Sequence, residues 1–242
     1  MSKLEGNKCT HASSYRPIPL EAWLLSEVLR PHLNIVQMCG CDVMTFKSKN
    51  MYFEYCTGGD LIDQIDHFSR QRNYAPEVFI LHAFVQVAQA LAYIHHGLRW
   101  DPIENAYMKE RGFVSLVHGD IKADSIFLDW THKAAHPTLP RVVLGDFGMA
   151  QPTATFKSIA GTRTYEAPEI ARIHDIKKTN PSEYNRLVES TGLMTTATDV
   201  NSFGIVMHIL ATLKTHKVAA DPYDDGHMEG KARVGVKLPS LY

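Results

Sequence analysis

The sequence lacks the features that mark secreted, membrane-spanning and general nucleic-acid-binding proteins. Its four cysteines among 242 residues include no C-x-x-C pair and are too sparse for a disulfide scaffold. There are 25 Lys and Arg residues against 26 Asp and Glu, so the chain has no basic excess for binding nucleic acid. No unbroken run of about 18 apolar residues predicts a membrane span, and the N-terminus lacks the apolar core of a signal peptide. We therefore expect an intracellular protein, cytoplasmic or nuclear, that binds neither membranes nor nucleic acid.

The remaining composition, 45% hydrophobic and 21% charged, is typical of globular domains. Apolar residues recur every three or four positions from Pro76 to His96, just before Gly97, and predict a long helix. Other apolar runs predict shorter elements, with helices over Glu21–Leu29, Leu61–Phe68 and Ser202–Leu213 and strands over Asn34–Cys41, Met51–Cys56, Phe113–Val117, Ile126–Leu128 and Arg141–Leu144. The polar stretch 98–112 is interpreted as an inserted loop, 171–198 as a polar insertion rich in Thr and Asn, and the residues after Lys214 as a loose tail.

Three stretches carry polar residues where a hydrophobic core would require apolar ones. They are V-H-G-D-I-K-A-D-S-I-F-L at 117–128, V-V-L-G-D-F-G at 142–148 and G-T-R-T-Y-E-A-P-E at 161–169. Alone, each has an ordinary explanation, because Gly-Asp pairs favour turns and a single D-F-G arises by chance. Together, in this order, they resemble the protein kinase family over roughly Glu21 to Leu213. The Gly-Thr pair and Lys122 are similar to the serine/threonine branch of that family.

The resemblance implies an α+β, two-lobed fold in which the large lobe is mainly helical. Residues 1–56 would form a partial small lobe, 57–213 the large lobe and 214–242 the tail. The implied reaction is transfer of a phosphoryl group from ATP, with Mg²⁺, to serine or threonine of a protein substrate. The sequence gives no indication of the oligomeric state.

By the same resemblance, Asp120 would accept the proton of the substrate hydroxyl, and Lys122 would offset negative charge on the transferred group. Asp146 would bind Mg²⁺, for which carboxylate oxygens are suited. Ser125 stands where the family has a metal-binding asparagine, and we expect it to be a weaker ligand. Thr162 would order the substrate-docking loop against Asp120 and Lys122.

Five further positions match the nucleotide site of the family. After Phe53, the backbone of Glu54 and Cys56 would bond the adenine edge, Asp60 would lie near the ribose, and Phe127 would form the apolar floor. Ordinary alternatives exist for three of them. Phe53 and Cys56 also suit a strand in the core, and Asp60 suits a helix N-cap.

The resemblance implies a lysine in the small lobe that binds the nucleotide phosphates, and an acidic residue that pairs with this lysine. Glu21 is the best match for the acid and Glu27 the second. Lys3, 18 positions before Glu21, has a permitted spacing for the lysine, although an ordinary surface lysine has the same appearance. Phe147 is expected to pack below the helix that carries Glu21.

Support for the catalytic loop is expected from His118, which would brace it from inside, and from Asp199 at the start of a later helix. Gly119 replaces the arginine that many kinases carry, so a phosphorylated activation segment would have no local guanidinium to pair with. The hydroxyl residues there are therefore not expected to form an obligatory phosphorylation switch: Thr153, Thr155 and Ser158.

The glycine-rich motif G-x-G-x-x-G is absent, and only 20 residues precede Glu21. The residues after Leu213 show no convincing pair of amphipathic helices to close the large lobe. We therefore expect a catalytic region, truncated at both ends, that transfers phosphate weakly or not at all. A pseudokinase or binding scaffold is the main alternative. A small-molecule phosphotransferase is a second one, because His118-Gly119-Asp120 also matches that class, but Phe147-Gly148 and the Ala-Pro-Glu segment argue against it.

Overall fold

Six α-helices run through the residues described by the computed structural model, which are 18–43, 49–131, 138–155, 159, 161–189 and 193–214. They are α1 (Leu20–Trp23), α2 (Leu61–Arg70), α3 (Glu77–His96), α4 (Pro168–Thr179), α5 (Pro181–Glu189) and α6 (Thr196–Thr212). α1 continues directly into a π-helical turn, Leu24–Val28. All four predicted helices are present, although α6 begins well before the predicted Ser202. Lys3, Ser158 and the predicted tail lie outside the described residues.

The long helix α3 is the main helix of the core. It ends at Gly97, whose φ of 68° is a left-handed conformation that glycine adopts without strain. Within the described residues, α3 alone is long and apolar enough to cross a membrane. Burial explains only part of its apolar composition, since Val78, Leu81, Phe84 and Val85 are exposed. The buried apolar side chains of the helix are Phe79, Ala83, Val87, Ala90, Leu91, Tyr93 and Ile94.

Eight short strands pair in the described residues as four two-stranded antiparallel sheets. They are β1 (Met38–Val43), β2 (Lys49–Phe53), β3 (Leu98–Asp101), β4 (Ala106–Lys109), β5 (Leu116–Val117), β6 (Ile126–Asp129), β7 (Arg141–Leu144) and β8 (Gln151–Pro152). The pairs are β1–β2, β3–β4, β5–β8 and β6–β7.

The strand predicted over Asn34–Cys41 begins only at Met38. The preceding residues bond to β7 instead, since Leu144 N donates to Asn34 O and Val36 N donates to Leu144 O, both at 2.9 Å. The Asn34 side chain also donates to Val142 O at 2.9 Å. The segment that follows the first helix is therefore bonded directly to the large-lobe strand β7.

The prediction of a loop over 98–112 is wrong, because β3 and β4 form a hairpin there. Trp100 and Tyr107 are cross-strand partners whose rings make an edge contact at 5.3 Å. Asp101 closes the turn by accepting hydrogen bonds from the backbone N–H of Ile103 and Glu104. Local polarity concealed the pairing of these aromatic residues.

The stretch 171–198, interpreted as a polar insertion with no assigned elements, is mostly helical. Proline suits the first turn of a helix, and Pro168 and Pro181 begin α4 and α5. Ile170, Ala171 and Ile173 are the buried residues of α4, whose other residues are mostly polar. One buried stripe is sufficient to stabilise an otherwise polar helix.

The core joins both predicted lobes around the β6–β7 hairpin. Leu24 of the π-helical turn, Leu128, Leu144 and Phe147 are all 1% exposed or less and belong to one cluster with α3. Burying a side chain of this size contributes about 1.5–3 kcal/mol. This cluster fixes the loop before β6 and the residues after β7 relative to the helix that carries Glu21.

Candidate active site

The catalytic-loop segment 118–125 is held by Asp199 in the first turn of α6. Asp199 Oδ2 accepts a hydrogen bond from His118 N at 2.7 Å, and Oδ1 accepts one from Gly119 N at 2.9 Å. His95 Nε2, at the end of α3, lies 2.9 Å from Oδ2. Asp199 is 1% exposed, so its charge is compensated by these groups rather than by water. The prediction that Asp199 braces this loop is confirmed, and we call Asp199 with the two amides the Asp199 clamp.

His118 links the same loop to the residue before Asp146. Its Nε2 lies 2.9 Å from Gly145 O, and Asp120 N donates to its Nδ1 at 3.3 Å. The carbonyl requires a donor, so the proton of a neutral ring belongs on Nε2. Burial lowers the pKa of His118, which keeps the ring neutral. The predicted bracing role of His118 is confirmed by these contacts.

Four of the predicted site residues lie together. Lys122 Nζ is 2.5 Å from Asp120 Oδ2 and 3.3 Å from Asp146 Oδ2. Thr162 Oγ1 donates to the other Asp120 oxygen, Oδ1, at 2.8 Å. One lysine therefore joins the two carboxylates, and the activation segment is bonded to the first of them.

The electrostatics keep Asp120 and Lys122 ionised at neutral pH. Burial raises the pKa of Asp120, but hydrogen bonds from Lys122 and Thr162 outweigh it and place the pKa below its ordinary value. Burial lowers the pKa of Lys122, but the hydrogen bond and charge of Asp120, with the charge of Asp146, outweigh it and raise the pKa. The charged ammonium of Lys122 and the charged carboxylate of Asp120 therefore lie side by side in the site.

Asp146 is the residue best placed for a metal ion. Its carboxylate is 46% exposed and follows β7 in a left-handed turn with φ of 62°. Within the described part of the chain, no group of three or more His, Cys, Asp or Glu residues gathers into a metal site. The single exposed carboxylate of Asp146 fits Mg²⁺. This ion commonly binds one or two carboxylates and completes its coordination shell with phosphate oxygens and water.

Ser125 is fully buried in the 3₁₀ turn Ala123–Ser125. Its hydroxyl donates to Lys122 O at 2.9 Å and accepts from Lys122 N at 3.0 Å. These bonds shape the loop around Lys122. A metal contact from Ser125 stays a prediction.

Glu21 approaches this centre from the small-lobe helix. Its Oε1 accepts a hydrogen bond from Phe147 N at 3.0 Å. Burial, assisted by the nearby charge of Asp146, raises its pKa against the effect of that hydrogen bond. Phe147 is fully buried in the core below this helix, as predicted. Glu27 is exposed, so the geometry favours Glu21 for pairing with a lysine.

The predicted nucleotide positions lie at the end of β2, in the segment up to α2, and on β6. Phe127 is half-buried against Gly145, and a methyl group on Gly145 would lie 2.7 Å from the ring. The Phe127 ring therefore packs against the residue before Asp146. Its role as the apolar floor for adenine stays a prediction. Phe53 is 36% exposed at the end of β2. Burial, followed by the charge of Glu54, raises the pKa of the Cys56 thiol to about 11, so it is neutral.

Asp60 caps α2, since its Oδ1 accepts a hydrogen bond from Asp63 N at 3.0 Å. It is 7% exposed and bridges to Phe127 through the backbone. The alternative interpretation as a helix cap is therefore confirmed. A ribose contact stays a prediction.

Sequence reasoning missed three contacts of buried charged side chains near the site. Arg141 contacts Glu54 and Asp129, and a charged residue at the start of an apolar strand was the available signal. Glu166, whose side chain is 3% exposed, lies 2.9 Å from His174 Nδ1. With Asp120 and Thr162, Glu166 lines a small cleft.

Two carboxylates joined by one lysine, with Thr162 bonded to one of them, are typical of a phosphotransferase site. Comparison with known proteins identifies the family. The chain belongs to the protein kinase domain family, whose match covers residues 5–230 and so extends beyond the span recognised from the motifs.

The curated relatives include kinases from fungi, animals and amoebae. G2-specific protein kinase fin1 of Schizosaccharomyces pombe is 34% identical over 148 residues, which are 58% of this chain and 19% of that protein. Serine/threonine-protein kinase Nek2 of Homo sapiens is 27% identical over 195 residues, 78% of this chain and 35% of that protein. Probable serine/threonine-protein kinase nek2 of Dictyostelium discoideum is 29% identical over 218 residues, which are 87% of this chain and 42% of that protein. The chain thus spans less than half the length of each of these relatives.

Proposed function

We propose that the chain catalyses ATP- and Mg²⁺-dependent phosphorylation of serine or threonine in protein substrates. The single observation that carries the proposal is the arrangement of Lys122 between Asp120 and Asp146, with Thr162 bonded to Asp120. The names of the curated relatives agree with a serine/threonine kinase and give no support to a pseudokinase. Family membership also argues against a small-molecule phosphotransferase. We further propose an intracellular location.

The residues divide the chemistry between them. Asp120, held ionised by Lys122 and Thr162, orients the substrate hydroxyl and accepts its proton. Lys122 offsets negative charge on the transferred phosphoryl group. Mg²⁺ bound at Asp146 would neutralise phosphate charge on the nucleotide.

At the other end, the backbone of Glu54 and Cys56 is proposed to bond the adenine edge above Phe127. Glu54 N is already bonded to Gln37 O at 2.9 Å, which fixes the hinge strand before this point. Glu21 is proposed to orient a lysine toward the phosphates, and Lys3 stays the predicted partner. Asp60 is proposed to lie near the ribose, where its bond to Asp63 N would hold it in place.

The proposal is tested by transfer of radiolabelled γ-phosphate from ATP to a mixed serine/threonine peptide library. Asp120→Asn should lower kcat by about 10²–10⁴-fold, because the general base is lost. Binding of Mg·ATP, followed by thermal shift, should persist in this variant, since Asp120 acts on the substrate hydroxyl.

Asp66→Asn is the matched control, because Asp66 is an exposed acid on α2. This control should transfer phosphate at the wild-type rate. Wild-type chain that binds Mg·ATP but leaves every library peptide unlabelled would contradict the proposal and favour the scaffold alternative.

A further inference from the structure

Arg141, the first residue of β7, joins three segments that are distant in the sequence. Its Nη2 lies 2.5 Å from Glu54 Oε2 and 3.1 Å from Asp129 Oδ2, and its Nη1 donates to Leu33 O at 3.2 Å. The Arg141 side chain is 5% exposed. A guanidinium can serve several acceptors at once because its donors form a rigid planar fork. We call these four residues the Arg141 cluster.

The two carboxylates of the cluster depend on Arg141 to different degrees. Asp129 Oδ1 also accepts from the N and Oγ1 of Thr131, at 3.0 and 2.7 Å. Burial raises the pKa of Asp129, but the hydrogen bonds of Thr131 and Arg141 outweigh it and lower the pKa. Glu54 has one further bond, from Gln37 N at 2.9 Å to Oε1, so its Oε2 relies on Arg141. Loss of Arg141 would leave Glu54 with an uncompensated charge at the hinge.

The strand that begins at Arg141 also leads to the phosphate end of the site. Asp146 follows Leu144 by two residues, and an extended chain advances roughly 3.3 Å per residue, or roughly 16 Å from Arg141 to Asp146. The Arg141 cluster therefore lies at the hinge, while the Asp120–Lys122–Asp146 group lies at the other end of β7. The two ends of the nucleotide site can be disturbed separately.

We infer that Arg141 is a positioning residue for the adenine end of the nucleotide. It holds the hinge backbone at Glu54 through the side chain of that residue and makes no contribution at the phosphate end. This inference rests on the proposed function, since adenine binding at Glu54 is part of that proposal.

The test compares three probes on the full chain: Mg·ATP, adenosine, and inorganic triphosphate with Mg²⁺. Arg141→Met should weaken binding of ATP and adenosine by the same factor, about tenfold, and leave triphosphate binding unchanged. Asp146→Asn should show the opposite pattern, with weaker triphosphate and ATP binding and unchanged adenosine binding.

Two further variants separate positioning from general loss of structure. Glu54→Gln, added to Arg141→Met, removes the uncompensated charge and should recover part of the adenosine affinity. Arg186→Met removes an exposed pair with Glu183, 2.6 Å long, and should bind all three probes like the wild type.

Arg141→Lys, which keeps one charged contact, replaces Arg141→Met if that variant fails to fold. It should give an intermediate loss of adenosine binding.

Equal weakening of adenosine and triphosphate in Arg141→Met would show a general structural role and overturn the inference. If the wild type binds ATP and Arg141→Met binds adenosine as the wild type does, the inference about Arg141 is overturned and the proposed function is not. A wild-type chain that binds neither ATP nor adenosine would overturn the proposed function together with it.

Discussion

Two buried charges hold the two ends of the site, and they are compensated by different chemistry. In the Asp199 clamp, one carboxylate is compensated mainly by backbone N–H groups of His118 and Gly119. In the Arg141 cluster, one side-chain cation is compensated by two side-chain carboxylates. Backbone donors exist whatever the side chains are, whereas an ion cluster needs every member. The clamp therefore depends on one side chain, and the cluster depends on three.

The largest effect is expected where the clamp loses its charge. In Asp199→Asn, an amide NH₂ replaces one carboxylate oxygen and faces a backbone N–H, so one hydrogen bond is lost and two donors are opposed. The substitution should therefore lower the free energy of unfolding by about 3 kcal/mol. Urea denaturation measures this loss. Asp175→Asn, at an exposed acid, should unfold like the wild type. Equal stability of Asp199→Asn and Asp175→Asn would contradict the claim that the hydrogen bonds of the Asp199 carboxylate stabilise the fold.

A smaller effect is expected at the backbone of the clamp. Gly119 has φ of 80°, and a Cβ in this conformation costs about 1–2 kcal/mol. Gly112 has φ of 69° with nothing within 4 Å of an added Cβ, so Gly112→Ala is the matched control for strain alone. Both variants should lose similar stability by urea denaturation, but only Gly119→Ala should also lower kcat. Equal kcat in the two variants would show that the catalytic loop tolerates distortion at Gly119.

The smallest effect is a pH dependence that distinguishes the two ends. Because burial holds the pKa of His118 below 6.5, its stabilisation is complete above pH 6.5. It is lost as the pH falls below that value, since the unfolded chain then binds a proton that the folded chain does not. His118→Gln should therefore reduce the fall in unfolding free energy between pH 7.5 and about 5.5.

The Arg141 cluster should show no such change over that range, because it contains no histidine and the pKa of Asp129 lies below 3.8. The difference in stability between the wild type and Arg141→Met should accordingly stay constant there. An identical pH dependence in the wild type and His118→Gln would contradict the role of the buried ring.

The catalytic centre was predictable because its chemistry is written in short segments. Asp120 and Lys122 are two positions apart, and Asp146 follows an apolar strand by two, so short motifs that resemble the protein kinase family located them. The periodicity of α3 was equally local. The hairpin over 98–112 was missed because Trp100 and Tyr107 stabilise each other across strands, and polarity along the chain does not report such pairs.

The Arg141 cluster could not be predicted because its members are widely separated. Glu54 and Arg141 are 87 positions apart, and Asp129 and Arg141 are 12 apart. Each of these residues alone is typical of a solvated surface. Glu166 and His174 were missed for a related reason, because the helix α4 that brings them together was not expected.

The Asp199 clamp also sets an order of events during synthesis. Asp199 is 81 positions after His118 and 80 after Gly119, so the catalytic loop leaves the ribosome long before its brace. At roughly 5–20 residues per second, that interval lasts roughly 4–16 seconds. During it, the nascent chain carries Asp120 and Lys122 in a loop whose backbone donors are not yet bonded to Asp199. The catalytic loop therefore acquires these two hydrogen bonds only after the start of α6 has been translated.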